Sequence, residues 1–184
     1  LMSLSDRRNL AKALRSLTVG ARQLLFTAEE KLDIDKMIQR VDNRTPINIL
    51  FLKTLPTEEE KMFFLTIFIT RLYEWMIRQG SSAKPKLIFF IDEVAPFIPA
   101  GMTKPAPKDS LLLVLRQARK YGVICMTCSQ SPKDVDYKAF EQMGNYAIGR
   151  LTTRQSMDAI EHIVSAGMGE AETEKIKEIL PRLN

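Results

Sequence analysis

The chain has 184 residues, 45% of them hydrophobic and 27% charged, enough for one ordinary core and too few for two large ones. A net charge of +5 and a pI near 9.2 favour polyanionic partners without establishing nucleic acid as one. The most apolar stretch, residues 62–77, is interrupted by Thr66, Thr70, Arg71 and Glu74, so it is too short and too polar to span a bilayer.

Residues 3–19 are basic and amphipathic, with Leu10, Leu14 and Leu17 at helical spacing among Arg7, Arg8, Lys12 and Arg15. A solvated helix face accounts for those charges as well as a phosphate contact does. Thr27 to Glu30 spell a capping box that opens a second helix to about Val41, and Thr45-Pro46 marks a break. The predicted organisation is therefore a helical segment over 1–44 and a main domain over 45–184. Residues 47–53 read as a buried strand, followed by a capping box from Thr57 to Glu60 and a helix to about Gln79. Phe64, Leu65, Phe68, Leu72 and Met76 form one stripe of that helix. Phe63, Ile67, Tyr73, Trp75 and Ile77 cover much of the rest, which predicts a helix covered on two sides.

Residues 87–91 are Leu-Ile-Phe-Phe-Ile, an apolar run that stops at Asp92 and Glu93. Such a run predicts a strand buried on both faces of a parallel sheet. The two carboxylates then emerge at the C-terminal edge of the strand, where open α/β sheets bind ligands. In nucleotide hydrolases an Asp so placed holds the magnesium shell and an adjacent acid orients and polarises water. Capping of the next helix is the competing explanation for the same pair.

Pro96, Pro99, Pro105 and Pro107, with Gly101, stiffen the following loop, which carries Lys104 and Lys108. Asp109 or Ser110 is expected to cap a helix over 111–121 that Gly122 ends. Leu111, Leu112, Val114, Leu115 and Ala118 define its buried stripe. At about 100° per residue Arg119 projects between Leu112 and Leu115, so its guanidinium is expected to meet protein, a ligand or a neighbouring subunit. A snorkelling arginine or an internal ion pair accounts for it too.

Cys125 and Cys128 form a C-x-x-C inside the strand-like run 123–129. Residues three apart on a strand face opposite sides and cannot chelate or cross-link locally, so both read as core cysteines. His162, the single histidine, has no Cys near it, which argues for a surface residue and against a zinc site or a Ser-His-Asp triad. The strand 123–129 leads to Gln130 at the edge where Asp92 and Glu93 emerge, a place suited to binding an attacking water or a phosphate oxygen. A helix over 136–143, a strand over 146–151 ending near Arg150, a helix over 153–165 and a last helix to about Leu180 continue the alternation of strand and helix.

Taken in order, residues 87–97 (LIFFIDEVAPF), 116–122 (RQARKYG), 129–136 (SQSPKDVD) and 149–155 (GRLTTRQ) resemble the HerA/FtsK superfamily of hexameric DNA-pumping ATPases, most closely the archaeal and bacterial HerA-like ATP-binding proteins. The resemblance implies an α/β fold of the RecA/ASCE P-loop type, a parallel sheet flanked by helices. It implies that Asp92 assists magnesium binding, that Glu93 is the catalytic acid orienting the hydrolytic water, and that Gln130 is the polar sensor beside them. Arg119 matches the position from which such ATPases send an arginine to the nucleotide of the next subunit, and Arg150 and Arg154 fall in a motif near the nucleotide. Lys104 and Lys108 are candidates for the DNA channel, with a solvated loop as the alternative. The implied cofactors are ATP and Mg²⁺. The implied partners are other copies in a hexamer and double-stranded DNA, with a nuclease partner left open; the implied setting is a prokaryotic cytoplasm without membrane insertion.

The largest departure of the sequence from that family is an absence. The chain contains no G-x-x-x-x-G-K-[ST], and none of its eight glycines is followed by lysine. In the family that phosphate-cradling loop follows the central strand of a sheet ordered 5-1-4-3-2. The chain is therefore expected to be the C-terminal half of an ATPase domain, trimmed at both ends, lacking the central Walker A strand and inactive alone. Residues 47–53, 87–92 and 123–129 would be strands 2, 3 and 4, and 146–151 strand 5. Strand 5 is expected to shift onto strand 4, unless the open edge serves self-association. The alternative is a non-catalytic oligomerisation or DNA-binding module with a degenerate ATPase fold, in which Asp92 and Glu93 are structural. A phosphate loop encoded upstream of Leu1 separates the two.

Overall fold

A computed structural model describes residues 2–17, 32–165 and 170–183. Helix α1 (Leu4–Leu17) starts at Ser3, whose Oγ accepts the Asp6 amide at 3.1 Å and donates to the Asp6 carboxylate at 2.7 Å. Its Leu10 and Leu14 are exposed. The capping box over 27–30 lies outside the described residues. The next described helix, α2 (Ile34–Ile38), is capped by Asp33, which accepts the Asp35 and Lys36 amides, and it ends short of Val41.

Helix α3 (Glu58–Gln79) begins as its sequence predicts, with the Thr57 hydroxyl accepting the Glu60 amide at 3.2 Å, and stops at Gly80 with φ +68°. It buries Leu65, Phe68, Ile69, Leu72, Trp75 and Met76 but leaves Phe63, Ile67 and Ile77 exposed. The helix is thus covered on one side, not two. Asp35 fastens α2 to it by accepting from Trp75 Nε1 at 2.8 Å and Arg78 Nη2 at 2.9 Å.

Strand β1 (Leu87–Ile91), helix α4 (Lys108–Gln117) and strand β2 (Val123–Thr127) follow, and the two strands pair in parallel from Leu87↔Val123 to Ile91↔Thr127. The fold is α/β, a small parallel sheet with flanking helices. Helix α4 starts at Lys108, earlier than Asp109 or Ser110 would set it, and buries Leu111, Leu112, Val114 and Leu115 as their spacing predicts. With α3 it covers one face of the sheet, where Leu87, Phe89, Ile91, Val123 and Cys125 join the core and the Phe68 and Phe89 rings lie 5.8 Å apart. The opposite face carries Ile88 (60% exposed), Phe90 (52%), Ile124 (41%) and Met126 (50%). The expectation of burial on both faces is therefore corrected, because the described helices that pack on the sheet cover a single side.

Two expected strands do not form. Residues 47–53 end in a 3₁₀ turn, Leu52–Thr54, with Ile47, Ile49 and Phe51 exposed. Residues 146–151 are also irregular. Their Ile148 and Leu151 pack instead with Ile160, Ile176 and Leu180 in a second small cluster formed with helices over Arg154–Ser165 and Glu170–Ile179, and the Leu151 amide bonds to the Leu180 carbonyl. Strand 5 consequently does not move onto strand 4. A run of strand-forming residues becomes a strand only when another backbone lies beside it, and Ile148 and Leu151 are better buried against helices.

Between α4 and β2 the chain tightens into a 3₁₀ turn, Ala118–Tyr121, and leaves it through Gly122 at φ +75° and ψ +24°. A Cβ there would lie 2.4 Å from the Lys84 carbonyl oxygen, on top of the left-handed backbone. Gly122→Ala is expected to cost about 1–3 kcal/mol from backbone strain alone, with the clash in addition. A urea unfolding curve checks this: the midpoint should fall, and an unchanged midpoint would show that the strand entry relaxes freely.

Candidate functional site

The hydrogen bonding between the two strands continues past their ends: the Cys128 amide donates to the Ile91 carbonyl and the Val94 amide to the Cys128 carbonyl, both at 2.9 Å. This extension brings the segment after β1 and the segment after β2 to one rim. There Glu93 Oε2 accepts the Gln130 amide at 3.1 Å and Glu93 Oε1 accepts the Ala95 amide at 3.3 Å. Glu93 is half-buried, while Asp92 and the Gln130 side chain are exposed beside it. Asp92, Glu93 and Gln130 thus share the C-terminal rim of the parallel strands. An ionised carboxylate offers about four acceptor positions, and the two amides leave the others open to a water.

Arg119 occupies the opposite rim. It precedes Gly122 and β2, and the adjacent Lys120 carbonyl accepts the Ser82 amide just ahead of β1. A five-residue strand separates the two rims by roughly 15 Å, beyond the reach of one arginine side chain. Arg119 is exposed on an open hollow that it lines with Ser81, Ser82, Ala83, Arg116 and Lys120. Its expected position among the leucines is corrected: the 3₁₀ turn from Ala118 changes the angle per residue and swings it away from the stripe of α4.

Lys104 is exposed and ion-paired with Asp109 at 2.7 Å. Lys108 is turned inward, 6% exposed, and bonded to the Asp136 carboxylate at 2.7 Å, to the Pro99 carbonyl at 2.7 Å and to the Thr103 carbonyl at 3.4 Å. As a DNA-facing residue it is corrected, since its ammonium is used up inside the protein. Sequence reading missed this pair because its members are far apart in the chain; the one local signal was Asp136 at a helix start, where its other oxygen accepts the Lys138 amide. Burial pushes the Asp136 carboxyl up, but hydrogen bonds from Lys108 and Lys138 and their positive charges outweigh it and hold the group below the usual carboxylate value. Arg150 and Arg154 are exposed. Arg154 opens its helix next to Gln155, whose side-chain oxygen accepts from Lys133 at 2.7 Å and so ties that helix start to the loop beyond Gln130.

Both cysteines are free. Cys125 is half-buried, its thiol pushed up to about 12 by burial, whereas Cys128 is exposed at the rim and not the core residue expected from its strand-like setting. An aromatic disulfide reagent at pH 8 should therefore modify Cys128 and spare Cys125 in the folded chain, counted by mass; equal labelling would contradict that difference in burial. The His162 side chain lies outside the described residues. Among the described residues no cluster of three His, Cys, Asp or Glu side chains could hold a metal, and no helix is long and apolar enough to cross a membrane. Magnesium in phosphoryl-transfer sites takes one or two carboxylates together with waters and phosphate oxygens, so the single exposed Asp92 suits that mode of binding.

Fold and rim together define an α/β protein whose polar side chains gather where parallel strands end. The chain belongs to the helicase HerA-like C-terminal family, whose model matches residues 4–173. That membership places it in a family of ATPases and translocases. A search among curated proteins found no match.

Proposed function

We propose that the chain is the C-terminal half of a RecA/ASCE-type motor domain that couples ATP hydrolysis to movement along double-stranded DNA in a homohexameric ring. The observation that supports this most is the Glu93 carboxylate, fixed by the Gln130 and Ala95 amides beside Asp92 at the end of two parallel strands. Residues 45–184 are the motor half and residues 1–44 the segment in front of it. The phosphate-cradling loop and its central strand come from sequence outside these 184 residues, so the chain alone is inactive. The bare sheet face of Ile88, Phe90, Ile124 and Met126 suits that division.

In this reading ATP with Mg²⁺ supplies an activated γ-phosphoryl group whose charge the protein must meet. Asp92 anchors the metal's water shell. Glu93 accepts a hydrogen bond from the attacking water through the lone pairs left by its two amide donors. Gln130 presents its side-chain amide to the same water or to a phosphate oxygen. Arg119, on the far rim, serves the nucleotide of the adjoining copy, and Arg150 and Arg154 approach the nucleotide from the loop side. Lys104 is the remaining candidate for DNA contact. The setting is a prokaryotic cytoplasm, with a nuclease as the candidate partner.

The bare face and the exposed leucines of α1 also favour a second reading, a non-catalytic association module. ATP turnover by the protein joined to its phosphate loop, wild type against Glu93→Gln, with and without double-stranded DNA, separates the two. Turnover insensitive to the substitution refutes the motor assignment of Glu93.

A further inference from the structure

The loops that carry Glu93 and Gln130 are joined along their length. The Val94 amide meets the Cys128 carbonyl at 2.9 Å, the Asp136 amide meets the Ile98 carbonyl at 2.9 Å, and the Ala100 amide meets the Asp134 carbonyl at 2.8 Å. The Gln130 amide closes the near end on Glu93. At the far end stands Lys108, on the first turn of α4. Its ammonium has three N–H donors and three partners: Pro99 and Thr103 on the Glu93 loop, and Asp136 on the Gln130 loop. Both side chains are buried, 8% and 10% exposed.

Packing alone does not call for this arrangement. Burying two charges carries a desolvation cost that well-fitted apolar residues avoid, and a buried ion pair gains mainly when its geometry is fixed and its remaining donors are satisfied. Here the ammonium is fully bonded, and the second Asp136 oxygen accepts the Lys138 amide at 3.0 Å. What the pair adds over an apolar contact is direction. It sets the distance between one loop's carbonyls and the other loop's carboxylate, and so holds the two loops in a single register at the rim.

We propose that Lys108 and Asp136 are positioning residues: a buried clamp that fixes the Gln130 loop against the Glu93 loop and thereby aims the Glu93 carboxylate. The catalytic part of this inference rests on the hydrolytic reading of Glu93 given above; the mechanical part does not. Neither residue touches the reacting groups. Each acts through the backbone that carries Glu93 and Gln130.

Amide hydrogen exchange on the full chain tests the mechanical part. In Lys108→Met the amides of Gln130, Ala100 and Asp136 should exchange at least about tenfold faster while those of Val123–Thr127 keep their protection. Uniform acceleration of strand and loop amides, or none at Gln130, overturns the clamp. Should Lys108→Met fail to fold, Asp136→Asn is read by the same criterion. In the ATP-hydrolysing protein the same variants should lower kcat by between about 10- and 100-fold at unchanged KM for ATP. Selective loosening with unaltered kcat overturns the positioning role. If Glu93→Gln itself leaves turnover unchanged, the hydrolytic reading has failed, and the exchange result alone decides whether the clamp exists.

Discussion

In the protein joined to its phosphate loop, replacing Glu93 with Gln is expected to lower ATP turnover by about 10²–10⁴-fold with ATP binding retained, the range that removal of a positioned general base covers. The substitution keeps length and volume but exchanges one carboxylate oxygen for an N–H₂. In the native rim both oxygens accept backbone amides, from Ala95 at 3.3 Å and Gln130 at 3.1 Å. A glutamine satisfies only one of them and turns a donor toward the other, a cost of about 1–3 kcal/mol where that amide is shielded from water. Stability should therefore fall by a few kcal/mol at most, while the chemistry falls by orders of magnitude. Nucleotide affinity measured by a fluorescent ATP analogue, together with steady-state turnover, distinguishes the two effects. Loss of binding in parallel with turnover would mean that the residue shapes the rim and does not activate water.

Trp75→Ala is expected to destabilise the fold by about 3–5 kcal/mol, a large part of the 5–15 kcal/mol typical of a domain. Trp75 is 1% exposed on the buried face of α3, and its indole N–H donates to Asp35 at 2.8 Å. Truncation opens a cavity in the main core and removes one of the bonds by which Asp35 holds α2 in place. Trp75→Phe keeps most of the apolar volume and loses the donor with part of the ring, so its cost should be smaller, about 1–2 kcal/mol. Equilibrium unfolding in urea reads both. Equal losses in the two variants would mean that the Asp35 bond, and not the packing of the ring, carries the effect.

The parts legible in the sequence are those written within a few residues of themselves. Thr57 three residues before Glu60 opened α3, the leucine spacing of α4 gave its buried stripe, and two apolar runs gave the paired strands. The shared rim was legible as well, because parallel strands of equal length bring their following residues, Asp92-Glu93 and Gln130, to the same edge. Residues 47–53 and 146–151 were misread because alternation and β-branching state a capacity for pairing and not the presence of a partner. Arg119 was misplaced by an ideal helix projection that the 3₁₀ turn does not follow.

Local pattern by itself determined the helices with strong caps, the two strands, the family motifs and the identity of the rim residues. Tertiary structure decided how many strands pair, which face of the sheet stays bare, and what each charged side chain does. Lys104 and Lys108 illustrate the division: they lie four residues apart, one in the proline-rich loop and the other on the first turn of α4, yet one stands in solvent and the other is buried on Asp136. The local sequence does not predict that difference in burial. The difference comes from a carboxylate on a distant segment, because a buried charge is tolerated only where a partner has been brought to meet it.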